Sequence, residues 1–82
     1  MTEYKSKDFL SKQPQADTLL WVSKDLKFTI TTTTNAYSQF FVYVNLPNGL
    51  DEWVGITADS LDEAIEELNY MIRTEEIEKY LI

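Results

Sequence analysis

Residues 51–72 read DEWVGITADSLDEAIEELNYMI, and the fold is decided by how this stretch is divided. Its first part is a short β-prone run, its middle a polar pair, and its last part a helix. Leu61, Ala64, Ile65, Leu68, Met71 and Ile72 recur at the i, i+3, i+4, i+7 spacing of one apolar stripe. Asp62, Glu63, Glu66 and Glu67 fall opposite it, so the helix carries an acidic back. Either Asp59 or Ser60 has the chemistry to accept from the free amides of the first turn, and Ser60 with Glu63 has the spacing of a capping box.

Upstream, Glu52 to Thr57 is expected as a strand with Val54 and Ile56 inward and Trp53 and Gly55 outward. Pro47-Asn48-Gly49 is a turn, because proline fixes one φ and Asn-Gly supplies positive φ. Before it, Gln39 to Leu46 alternates, placing Phe40, Val42, Val44 and Leu46 on the core side and Phe41, Tyr43 and Asn45 on the reverse. Asn35 to Ser38 reads as a further turn. Thr18 to Ser23 and Leu26 to Thr34 form a hairpin across Lys24-Asp25, with Leu26, Phe28 and Ile30 inward and Lys27, Thr29, Thr31 and Thr33 on the solvated face. Residues 3–12 read as a short helix or arm that ends before Pro14. At the far end Thr74 is a fair N-cap for a final short helix, with Ile77, Tyr80 and Leu81 as its apolar stripe. The expectation is one α+β domain over residues 1–82: a four-stranded antiparallel meander with one long and one short C-terminal helix on one face.

The chain has 82 residues and a formal net charge of −7. That charge is unevenly placed. Residues 1–50 hold five lysines against four acids, whereas residues 51–82 hold Arg73 and Lys79 against ten acids. An excess of this kind repels phosphate, which argues against direct nucleic-acid binding, and attracts a basic partner. The absence of cysteine removes disulfides and thiol chemistry and suits a reducing compartment, so a cytoplasmic location is expected. No apolar run approaches a membrane span.

Chemistry is sparse. Without histidine or cysteine, a neutral-pH general base, a thiolate and the soft metal ligands are all missing. Two glycines, Gly49 and Gly55, cannot make a phosphate-binding loop. The carboxylate pairs Asp62 with Glu66 and Glu63 with Glu67 are one helical turn apart, a spacing open to Mg²⁺ or Ca²⁺ and equally to a solvated helix back. No enzyme activity, cofactor or metal is expected. Binding remains. The acids Asp59, Asp62, Glu63, Glu66, Glu67, Glu75, Glu76 and Glu78 are the candidate partner surface, an imitation of a phosphate row presented to a basic nucleic-acid-binding protein. Phe41, Tyr43 and Trp53 are the candidate surface for self-association, unless the N-terminal segment covers them.

FVYVNLPNG, Trp53 and DSLDEAIEEL resemble the strand, Leu-Pro turn, strand and acidic helix of HicB-type antitoxin domains. That resemblance implies a self-associating regulatory subunit. The size, acidity and element order are also similar to small phage inhibitors such as anti-CRISPR proteins, which implies a role in blocking a bacterial nucleic-acid-binding protein.

Overall fold

Among the described residues, alternating apolar positions build a five-stranded antiparallel meander in sequence order, and one α-helix closes over one side of it. The computed structural model describes residues 3–33, 39–46 and 49–80. The strands are β1 (Phe9–Gln15), β2 (Thr18–Ser23), β3 (Phe28–Thr33), β4 (Phe40–Asn45) and β5 (Asp51–Ala58), followed by α1 (Leu61–Arg73). The α+β architecture and meander order are as expected, with one strand more. The expected turn at Asn35 to Ser38, along with Pro47, Asn48, Leu81 and Ile82, lies outside the described residues.

The extra strand corrects the reading of the N-terminus. Residues 6–8 make a 3₁₀ turn, and the chain then enters β1 instead of continuing as a helix. Pro14 sits inside β1, where its missing N–H is harmless for two reasons. β1 is an edge strand, and the register between Lys12 and Gln15 is shifted so that Gln13 and Pro14 together face Leu19.

Side chains pointing toward α1 form the core. Phe28, Ile30, Val42, Val44, Val54, Ile56 and Ala58 from the sheet are buried against Ala64, Ile65, Leu68, Met71 and Ile72 from the helix. Phe40 and Leu46 pack at its margin, and Val54 and Ile56 point inward as expected. Leu26 does not join them. It is exposed, with φ of 63°, because the β2–β3 connection turns through it. Ser23, fully buried, holds that turn: its Oγ accepts from the amides of Lys27 and Phe28 and donates to Asp25 Oδ1 at 2.6 Å.

β5 departs from regular pairing beside Val42. Phe41 pairs with Thr57 and Tyr43 with Trp53, so Val54, Gly55 and Ile56 together oppose one residue. Gly55 takes φ of +83° to absorb the excess, and Trp53 Nε1 donates to the Ile56 carbonyl at 3.1 Å across the bulge. A Cβ at Gly55 meets no atom, so the cost of Gly55→Ala is conformational only. It is expected to destabilise by about 1–2 kcal/mol in urea denaturation, the penalty of left-handed backbone for an L-residue.

The helix starts at Ser60, whose hydroxyl accepts from the Glu63 amide at 3.1 Å. Thr74 is not an N-cap. Its Oγ1 donates to the Tyr70 carbonyl at 3.0 Å, closing the end of α1. Glu75 then takes φ of 64°, and Glu76–Tyr80 form a 3₁₀ helix in place of the expected α-helix, with Ile77 fully buried. Five residues are too few to gain from α-helical propagation, and burial of Ile77 fixes the segment instead.

The N-terminal segment is clasped to α1 and to the β2–β3 turn. Asn69 makes two bonds to the backbone of Tyr4, accepting from its N–H at 2.7 Å and donating to its C=O at 2.8 Å. The Tyr4 ring packs on Phe9 and Phe28, and its hydroxyl donates to Asp25. Burial, then the bond to Asp25 and the charges of Asp25 and Asp8, push the Tyr4 phenol well above its ordinary value. Burial alone pushes Asp25 up, but bonds from Ser23, Tyr4 and the Lys27 amide outweigh it and hold the carboxyl below its usual range. Asp25 therefore contributes stability that is present above the unfolded pKa of about 3.9 and is lost as pH falls through the lower folded value. Tyr4 contributes stability that is complete below about pH 10 and is lost as pH rises through its raised folded value. Asp25→Asn is expected to flatten the acid limb of the Tm–pH curve and Tyr4→Phe the alkaline limb. Limbs that match the wild type would contradict the clasp.

Candidate functional site

Two faces of opposite character result. On the helix side, the Ser60 cap fixes the rotation of α1 so that its apolar stripe meets the sheet and its acids face outward. Asp59, Asp62, Glu63, Glu66 and Glu67 are all exposed on and just before the first two turns. Successive turns rise about 5.4 Å, so these carboxylates form a short ladder. Glu63, Glu66 and Glu67 share an open depression with Tyr70 and Arg73. Among the described residues the only ion pair joins Arg73 to Glu3 at 2.7 Å. The one cation in the depression is thus already matched, and the acids of the ladder have no counter-charge among the described residues.

The remaining candidates do not belong to this group. Glu75, Glu76 and Glu78 are exposed, but they lie past the end of α1, on the 3₁₀ segment that follows the positive φ of Glu75. The expected acids therefore fall on two elements, α1 with its cap and the 3₁₀ segment after it. Tyr70 is absent from the expected surface, although the spacing carries its signal: it is i+7 from Glu63 and i+3 from Glu67, which puts it on the acidic stripe. It is 55 % exposed, a large aromatic ring among carboxylates.

On the other side, the sheet has no helix against it, and nothing among the described residues covers it. Residues 3–8 lie on the helix side, so they do not cover Phe41, Tyr43 and Trp53, of which Trp53 is exposed and the other two are half-buried among their neighbours in the sheet. Register places the outward side chains in two rows that cross all five strands. One row is Leu10, Val22, Thr29, Tyr43 and Trp53, and the other is Lys12, Leu20, Thr31, Phe41 and Thr57. The rings of Phe41 and Trp53 meet edge-on at 6.4 Å, and Trp53 is 48 % exposed. Leu10, Leu20 and Val22 are additions to the expected aromatic trio. Leu20 and Val22 follow from alternation along β2 and its pairing with β3, whereas Leu10 cannot be placed without β1, whose sequence lacks clear alternation.

Among the described residues no group of three or more acids is arranged to hold a metal, and no buried side-chain polar atom lacks a hydrogen-bond partner. A hollow lined by Glu3, Tyr4, Asp8, Lys24 and Asp25 is formed by the N-terminal clasp. No helix among the described residues is long and apolar enough to cross a membrane. No protein-family model, no curated protein and no solved structure matches this chain.

Proposed function

We propose that the protein is a non-catalytic binding module that presents the acidic ladder of α1 to a basic, nucleic-acid-binding protein and so blocks that partner's groove. The observation that supports this reading is the set of exposed carboxylates at Asp59, Asp62, Glu63, Glu66 and Glu67 with no cation paired to them among the described residues. A helix made only for solubility gains from alternating signs, whereas like charges at i, i+4 cost about 0.2–0.5 kcal/mol per pair. Asp62 with Glu66 and Glu63 with Glu67 bear that cost, and a cationic groove would recover it. Tyr70 adds an aromatic anchor of the kind enriched at interfaces. The second acidic patch, Glu75, Glu76 and Glu78, would extend the contact beyond the helix end.

The test is a comparison of proteins retained by the wild type and by the Glu63→Lys, Glu66→Lys, Glu67→Lys variant as bait. A basic partner held by the first and not by the second supports the reading. Equal retention by both sinks it.

A further inference from the structure

We infer that the outer sheet face is an isologous dimer interface, with a second copy of this chain as its occupant. Three observations carry this. First, the face is self-complementary. Thr29 and Thr31 on the central strand β3 form a low stripe, flanked by Leu10, Leu20 and Val22 on one side and by Phe41, Tyr43 and Trp53 on the other. A two-fold axis along β3 exchanges β2 with β4 and β1 with β5 while preserving the rows. Threonine then meets threonine at the axis, and the aliphatic half of each copy lies on the aromatic half of the other: Val22 on Tyr43, Leu20 on Phe41, Leu10 on Trp53.

Second, charge permits this contact and opposes others. The two outward rows hold a single charged side chain, Lys12 at one edge, so the face itself is nearly uncharged, whereas the molecule carries −7. Face-to-face packing puts both helix layers outermost, with their acids as far apart as the fold allows. Edge pairing is disfavoured by the Pro14 irregularity in β1 and the Gly55 bulge in β5. Third, the area is that of a weak, reversible dimer. Five strands about 4.8 Å apart and about 20 Å long present about 480 Å² per copy, so a pair hides about 960 Å², below the range of stable interfaces and within that of weak, transient ones. The dimer is therefore expected to be reversible, at micromolar or weaker concentrations.

Sedimentation equilibrium over a range from micromolar to millimolar tests it. The wild type is expected to move from 9.6 kDa to twice that mass. In a Trp21→Phe background, Trp53 emission is expected to shift blue over the same range. Val22→Lys and Tyr43→Glu are each expected to weaken association at least tenfold, and Leu10→Lys, at a 53 % exposed position where folding is not at risk, is expected to weaken it too. An equimolar mixture of Val22→Lys and Tyr43→Glu is expected to recover a dimer, because the two-fold places residue 22 of one copy over residue 43 of the other. A wild type that stays monomeric at millimolar concentration overturns the proposal and leaves the face to a different partner. A dimer indifferent to Leu10→Lys, or folded variants whose mixture stays monomeric, also overturns it. None of these outcomes bears on the acidic ladder.

Discussion

Asn69→Leu is expected to destabilise the protein by about 2–4 kcal/mol. The side chain is buried, and its carboxamide pairs with both the N–H and the C=O of Tyr4, at 2.7 and 2.8 Å. A single residue thus acts as a strand partner for a segment 65 positions away. Leucine fills the same space and satisfies neither group. Each orphaned buried group costs about 1–3 kcal/mol. The segment can escape by peeling into water, but it then gives up the packing of Tyr4 on Phe9 and Phe28 and the Glu3–Arg73 pair. Asn69→Asp should also destabilise, since a carboxylate can accept from Tyr4 N–H but cannot donate to its carbonyl. The loss should appear in urea denaturation and as accelerated hydrogen exchange at the Tyr4 amide. A change below about 1 kcal/mol would show that the clasp contributes little.

The second large effect is on binding. Replacing Glu63, Glu66 and Glu67 by lysine takes the net charge from −7 to about −1 and inverts the sign of the depression beside Tyr70. Electrostatic steering is worth about 10–10³-fold in association rate, and reversal converts attraction into repulsion. Association with the basic partner is expected to fall at least 100-fold. The fold should be little affected. A lysine at position 66 would pair with Asp62, and lysines at positions 63 and 67 would repel each other as the two glutamates do. Glu63→Lys also gives up a favourable charge near the helix N-terminus. Each of these is a matter of about 0.5 kcal/mol. A loss of binding with Tm nearly unchanged would therefore report on the surface alone.

The parts of the fold that the residues announce are those with strong local chemistry. The Ser60 cap, the stripe from Leu61 to Ile72 and the alternation of β3, β4 and β5 need only periodicity and one capping residue to be read. β1 is hidden because FLSKQPQ has no period-2 pattern, and its proline points away from a strand until an irregularity at the edge is known to hold it. Leu26 looks like a core residue by alternation. The turn that exposes it is set by buried Ser23 and by Asp25, whose hydrogen bonds no pattern of hydrophobicity reveals. Thr74 fails as an N-cap for a related reason: the same hydroxyl that suits a helix start closes the end of the preceding one. Of the candidate sites, the acids of α1 are legible from helical spacing, and so is the outward trio Phe41, Tyr43 and Trp53. The separation of Glu75, Glu76 and Glu78 from the ladder depends on the positive φ of Glu75, and the place of Leu10 on the sheet face depends on β1, whereas Leu20 and Val22 need only the alternation of β2.

The most direct test of the acidic ladder as a working surface is the dependence on salt of the wild type's affinity for the captured partner. Between about 0.05 and 0.5 M NaCl the screening length shrinks from about 14 to about 4 Å. The affinity is expected to fall at least tenfold over that range, while the Glu63→Lys, Glu66→Lys, Glu67→Lys variant binds too weakly to titrate. An affinity that holds constant or rises with salt would mean that apolar contact drives the association, and the acidic ladder would then not be the surface that binds.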